Sequence, residues 1–243
     1  MGSGSDFGNM IILVLAVFVL IHILFICFYY LVGSINGARI VSFFMGFPTP
    51  TSLGSGNPGS TNMLRIGGKC AALLTFLVDF LKGILPFAIP HINLPIVGVL
   101  VPSSQPVPAT LIAFLGLFIV LGDLYPIYHR FVGGKGISVI MGICLALNPW
   151  LFLAMLITWV FVAGLSRYSS LAGIVSCVLM PLCAFWLTDG YCAGYLVIAS
   201  LLILHKHRTN IKRLWEGSER KIGDKLPPAI IPTPLCLRSG KER

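Results

Sequence analysis

The stretch IILVLAVFVLIHILFICFYYLV, residues 11–32, decides the fold class, because it runs without a single Asp, Glu, Lys or Arg. About 20 largely apolar residues suffice for a helix to cross a bilayer. In lipid the backbone polar groups must be paired within the segment, so such a stretch is a helix. No basic residue precedes it and no small-residue cleavage site follows it, which predicts a retained anchor and not a removed leader.

Further apolar runs occupy residues 70–90, 107–122, 137–147, 150–165, 171–187 and 191–204. Asn148-Pro149 interrupts what would otherwise be one long helix, since proline disfavours helix at the residue before it. Thr188-Asp189-Gly190 is a turn signal. Across the 243 residues 56% are hydrophobic, against 17 Lys or Arg and 8 Asp or Glu. That charged fraction of 10% lies far below the quarter, roughly, of a soluble domain. It excludes a disordered chain, a coiled coil and an ordinary soluble enzyme. The net charge of +9 does not indicate nucleic acid, because little polar surface exists to form a basic groove.

Basic residues collect on the cytoplasmic side of membrane proteins. None precedes Arg39; Arg39, Arg65 and Lys69 follow the first run, and the 91–108 loop has none. Arg130, Lys135 and Arg167 come next, and ten follow from Lys206 onward. Seven helices satisfy this pattern, with the N-terminus outside and the C-terminus cytoplasmic; reading 137–165 as a single span would break it. The expectation is an all-α integral membrane protein with one seven-helix domain over residues 1–226 and a mobile, Pro-rich and charged tail over 227–243. The seven cysteines are scattered and predict neither a disulfide framework nor a zinc site. His22 and His91 read as structural. Asp79 and Lys82, three apart on one helix face, read either as an interhelical polar contact or as site residues.

Three loops on the cytoplasmic side suit anions. The first is Gly54-Ser-Gly-Asn-Pro-Gly-Ser-Thr-Asn-Met-Leu-Arg65, rich in residues whose N–H, hydroxyl and amide groups converge on a phosphate. The second, Phe131-Val-Gly133-Gly134-Lys135-Gly136, directly precedes an apolar helix whose N-terminus favours an anion. It lacks Walker spacing. The third pairs Ser166-Arg167-Tyr-Ser-Ser170 with His205-Lys-His207-Arg-Thr-Asn210. With no carboxylate cluster on this side, a magnesium–nucleotide site is not expected. A phosphorylated ligand is, with transport and transformation both open.

Gly33-Ser-Ile35, the Gly54–Arg65 string, Asp79-Phe-Leu-Lys-Gly83, Tyr125-Pro-Ile-Tyr128 with Phe131–Gly136, Arg167-Tyr-Ser-Ser-Leu-Ala172 and His207-Arg-Thr-Asn-Ile-Lys-Arg-Leu214 occur in one order over roughly residues 11–225. In this the chain resembles the bacterial membrane glycerol-3-phosphate acyltransferases that use acyl phosphate. The resemblance implies seven helices in the bacterial inner membrane and a site facing the cytoplasm. It implies acyl transfer from acyl phosphate to the 1-hydroxyl of glycerol 3-phosphate, giving lysophosphatidic acid and inorganic phosphate, the first step of phospholipid synthesis. No cofactor and no metal are implied. The partners are the two substrates and membrane lipid, and one copy of the chain suffices.

By motif match, Ser55, Arg65, Lys135, Ser170, His207 and Asn210 carry the chemistry. Gly54, Gly56, Asn57, Thr61, Asn62, Gly133, Gly134 and Gly136 bind substrate, and Asp79, Asp123 and Arg167 are less certain members. The resemblance assigns the proton to the substrate's own phosphate, and so gives His207 a binding role. One departure stands out: the family pattern Gly-His-x-aromatic-Pro reads Gly122-Asp123-Leu-Tyr125-Pro126 here. Asp123 either pairs with a cation or repels phosphate. An inactive relative and a transporter of a phosphorylated solute are therefore the alternatives.

Overall fold

The structure, a computed structural model, describes residues 3–88 and 108–224. In chain order they form α1 (Ser3–Gly33), α2 (Gly37–Met45), α3 (Ser60–Ala88), α4 (Ala109–Leu124), a 3₁₀ turn (Ile127–His129), α5 (Ile137–Leu147), α6 (Pro149–Ser166), α7 (Ser169–Leu187), α8 (Gly190–Lys206) and α9 (Arg208–Trp215). No strand occurs among the described residues. The expected 91–108 loop, except Pro108, and the 227–243 tail lie outside them.

Each predicted apolar run is helical over its described residues, apart from the extended Pro108 that precedes α4. The segments Gly8–Gly33, Ala109–His129, Pro149–Ser166 and Ser169–Leu187 are long and apolar enough to cross a membrane. α5 and α8 are apolar but shorter. With 11 residues, α5 is only about 16 Å long, roughly half a hydrocarbon core. The break between α5 and α6 falls where the sequence places it. Pro149 opens α6, and the Asn148 side chain caps it by accepting from Trp150 N at 2.8 Å.

α4 is the axis of the bundle, packing on α1, α3, α5 and α8. Its Ile119, Val120 and Leu124 join Ile140 and Ile143 of α5 and Leu196 and Ile203 of α8 in one buried cluster. Outward residues such as Ile157, Phe161, Leu165 and Trp186 are exposed, as lipid-facing side chains are. Two crossings depend on glycine. A Cβ at Gly33 or Gly122 would strike the facing backbone of α4 or α1, and one at Gly83 or Gly142 that of α5 or α3. These absences let the backbones approach, as small residues do in membrane helix pairs.

Three features escape the apolar pattern. α2 and α9 are short amphipathic helices. α3 begins ten residues before its apolar run and is broken at Gly68, whose φ of 77° and ψ of −166° are not helical.

Gly142→Val is expected to cost about 1–3 kcal/mol or more by overpacking the α3–α5 crossing. A clear drop in unfolding temperature of the detergent-purified protein is the expected reading, and an unchanged one contradicts this packing.

Candidate active site

A cavity of about 430 Å³ lies where the three loops meet. Gly54, Ser55, Asn57, Thr61, Asn62 and Arg65 line it from the first loop, and Gly134, Lys135 and Gly136 from the second. Ser169, Ser170, His207 and Asn210 line it from the third, and Asp79 and Asp123 from below. Its far end is apolar, formed by Phe76, Met141, Leu156, Trp159 and Val160. Gly56, Gly133 and Arg167 do not line it. Arg167 instead ends α6 in the left-handed region (φ 63°), is exposed, and accepts from Ile222 N at 2.7 Å.

The first loop is held by its own amide. Asn62 is buried; its Oδ1 accepts from Ser55 N at 2.9 Å, and its Nδ2 donates to the carbonyls of Pro50 at 2.8 Å and Leu53 at 3.0 Å. Those bonds make it a staple of the loop, although the sequence suggests a ligand contact. Gly54, at φ 65°, lies so close to Asn62 Oδ1 that a Cβ would collide.

In the second loop the glycines do a different job from the expected cradle. Gly134 N donates to the Asp123 carbonyl at 3.0 Å, and Gly136 N to Asp123 Oδ2 at 3.1 Å. Those N–H groups are therefore taken. The donors left for an anion include the Lys135 ammonium and the first turn of α5, residues 137–139, which lines the cavity. Gly133 lies against the Asp123 carbonyl and could carry no side chain there. Burial holds the Lys135 ammonium down at about 8, against a weaker upward pull from Glu219.

Below the loops sits a buried ion network. Lys82 Nζ lies 3.0 Å from Asp79 Oδ1 and 2.7 Å from Asp123 Oδ1, and donates to the carbonyls of Gly33 at 3.1 Å and Ile35 at 2.6 Å. All three charged side chains are under 10% exposed. Lys82 thus makes an interhelical polar contact: its side chain points back along α3, as helical side chains do, toward the site. The Asp123 carboxylate is paired with this ammonium and with Gly136 N–H, so its charge does not stand free against an anion.

The third loop meets a carboxylate that the sequence reading missed. Glu219 accepts from Ser170 Oγ at 2.8 Å, Asn210 Nδ2 at 2.7 Å and Arg213 Nε at 2.8 Å. These donors, Arg213 first among them, outweigh the upward push of partial burial and hold the carboxyl below its usual range. Asp79, Asp123 and Glu219 thus all line the cavity, each engaged by donors. The signal available was thin: Glu219, six residues beyond Arg213, is one of four carboxylates in a tail with ten basic residues. Residues 219–222 fold back over the site, with Arg65 Nη2 donating to the Arg220 and Lys221 carbonyls at 3.4 and 3.3 Å.

Two buried polar atoms at the cavity, Arg65 Nε and Asn210 Oδ1, find no partner among the described residues. Buried polar groups normally do, and a ligand would supply one. His207 is buried, with Nδ1 2.8 Å from Ile203 O. A carbonyl only accepts, so the proton sits on Nδ1 and Nε2 is left as an acceptor. Burial, then the Lys135 charge, pushes this imidazole down to about 4.

The family model for glycerol-3-phosphate acyltransferase matches residues 23–217. The chain belongs to that family. It is 41% identical over 208 residues to a glycerol-3-phosphate acyltransferase of Cupriavidus metallidurans, covering 85% of this chain and 98% of the relative. A Ralstonia pickettii member is 44% identical over 198 residues, covering 81% and 91%. The fold matches the crystal structure of PlsY (YgiH), an integral membrane glycerol 3-phosphate acyltransferase, in its glycerol 3-phosphate form. The TM-score is 0.72 at 31% identity, over 83% of this chain and 95% of that one. The lysophosphatidic acid form of the same protein matches with a TM-score of 0.68.

A lysine whose ammonium is held down by burial takes up a proton when an anion binds beside it. Affinity for inorganic phosphate should therefore fall as pH rises through about 8, by up to about tenfold per pH unit, until the raised pKa of the complex is passed. Lys135→Arg should flatten the profile. Equilibrium binding between about pH 7 and 10 checks this, and a flat wild-type profile contradicts the Lys135 assignment.

Proposed function

We propose that this family member transfers a fatty acyl group from acyl phosphate to the 1-hydroxyl of glycerol 3-phosphate, releasing lysophosphatidic acid and inorganic phosphate. The observation that carries the reading is one cavity with cationic, donor-rich walls from three loops and an apolar far end. Two anionic headgroups fit the first part, and an acyl chain fits the second. Val160, exposed on α6 and lining that end, offers the chain a way to lipid.

An acyl phosphate is a mixed anhydride and needs no activating nucleophile from the protein. The substrate hydroxyl oxygen bonds to the acyl carbon and the carbon–oxygen bond to phosphate breaks. The hydroxyl proton passes to a phosphate oxygen. The protein's part is to hold two anions side by side and to stabilise the charge that develops on the acyl oxygen. Lys135 and the α5 N-terminus serve the acyl phosphate. Ser55, Asn57, Thr61 and Arg65 bridge the headgroups, and Ser170, His207 and Asn210 orient glycerol 3-phosphate. An imidazole held near 4 is a poor proton carrier at neutral pH, and its Nε2 is suited to accept from the non-reacting 2-hydroxyl of glycerol 3-phosphate.

The site requires no metal and no cofactor in this reading, and one copy of the chain is enough. The segments outside the four long spans complete a seven-helix, multi-pass protein of the bacterial inner membrane. Its N-terminus lies outside, and its C-terminus and site face the cytoplasm, as the basic residues predict. The domain extends over residues 1–226.

Purified protein given palmitoyl phosphate and labelled glycerol 3-phosphate is expected to form lysophosphatidic acid. Lys135→Ala and Arg65→Ala should each lower turnover by about 10²-fold or more while leaving the unfolding temperature in place. No product from the wild-type protein, or near-normal rates in both variants, would refute the reading.

A further inference from the structure

We infer that Asp123 is a positioning residue for the second anion loop: it clamps both sides of Lys135 and so aims the ammonium and the α5 N-terminus into the cavity. The observation is a convergence on one residue. The Asp123 carbonyl holds Gly134 N at 3.0 Å, and its Oδ2 holds Gly136 N at 3.1 Å. Lys135 stands between these two anchors, at the apex of the loop. Gly136 sits in the left-handed region at φ 78°, and it is the residue from which α5 starts. A Cβ at Gly134 would come within 3.0 Å of Asp123 Oδ2, so the loop packs on the carboxylate itself.

The carboxylate is in turn fixed from the opposite side. Lys82 Nζ reaches its Oδ1 at 2.7 Å and ties it to the end of α1 through the Gly33 and Ile35 carbonyls. A buried carboxylate with both oxygens engaged cannot rotate without breaking a charge-assisted bond. It therefore transmits the rigidity of the α1–α3–α4 junction to Lys135. An alanine here leaves the carbonyl clamp on Gly134 but removes the one on Gly136. That frees the helix start and the lysine together, and small misplacements at a reacting centre are costly.

The activity expected of the site rests on the acyl-transfer reading, so inorganic phosphate is the probe. Its affinity is measured for the full-length protein in detergent as wild type, Asp123→Ala, Lys135→Ala and the double variant. If Asp123 acts through Lys135 and the helix start beside it, Asp123→Ala weakens phosphate binding by about tenfold or more, and adding it to Lys135→Ala weakens binding by a clearly smaller factor, the share carried by the α5 N-terminus alone. A residue that merely supports the fold would give additive losses. If Asp123→Ala does not purify as a folded protein, the isosteric Asp123→Asn is taken through the same cycle. Its amide can serve Gly136 or Lys82 but not both, and the same non-additivity is expected with a smaller single loss. Additive losses, unchanged phosphate binding in the Asp123 variant, or no phosphate binding by the wild type would overturn the inference. A wild-type protein that shows the non-additive cycle but makes no lysophosphatidic acid would instead leave the positioning role standing and sink the acyl-transfer reading.

Discussion

The ammonium of Lys82 is the contact on which the two anion loops depend. Removing three charged side chains from water costs several kcal/mol each, and only full engagement repays it. Here engagement is extensive. Lys82 meets two carboxylates and two carbonyls. Asp79 also accepts from Gly37 N at 3.0 Å, and Asp123 from Gly136 N. Gly37 opens α2, whose cap Asn36 donates to the Pro58 carbonyl at 3.1 Å. A continuous polar path therefore runs from the first glycine loop through Asn36, Asp79, Lys82 and Asp123 to the second. Charges that would be a liability in a membrane helix set the floor of the site.

Above that floor the chemistry is governed by charge. In the proposed reaction two phosphates brought together would repel, and Lys135 and Arg65 would offset that repulsion where burial strengthens every electrostatic term. Glu219 balances the same cations from the other side and, through Ser170 and Asn210, orders the wall on which glycerol 3-phosphate is proposed to sit. A site of this kind works by placement and electrostatics. Its side chains are accordingly fixed by dense hydrogen bonding, and in the proposed reaction the donor, a mixed anhydride, is already activated and asks no nucleophile of the protein.

The helices were legible in the sequence because lipid leaves little choice: an uncharged run such as 11–32 is helical, and Asn148-Pro149 marks its own break. α2 and α9 were not legible, because nine and eight residues are too few for an amphipathic period to stand out. The composition of the three loops correctly brought together Ser55, Arg65, Lys135, Ser170, His207 and Asn210 around one cavity. It could not separate residues that face a ligand from those that shape the loop, since Asn62, Gly134 and Gly136 have the same composition in either role. Whether Asp123 pairs with a cation or repels phosphate stayed open in the sequence, because its partner Lys82 lies 41 residues away on another helix. Glu219 was overlooked because nothing in the sequence separates it from Glu216, Asp224 and Glu242, the other carboxylates of the basic tail.

The central claim is that this cavity holds two phosphates at once, with Lys135 between the loops. A crystal structure of the protein with glycerol 3-phosphate and a non-hydrolysable acyl phosphonate tests it most directly. The account predicts both phosphorus atoms inside the cavity, the phosphonate at Lys135 and the start of α5, the glycerol phosphate within reach of Arg65, Ser170 and Asn210, and the acyl chain running past Trp159. A single anion in the cavity, or a phosphonate seated away from Lys135, would contradict it.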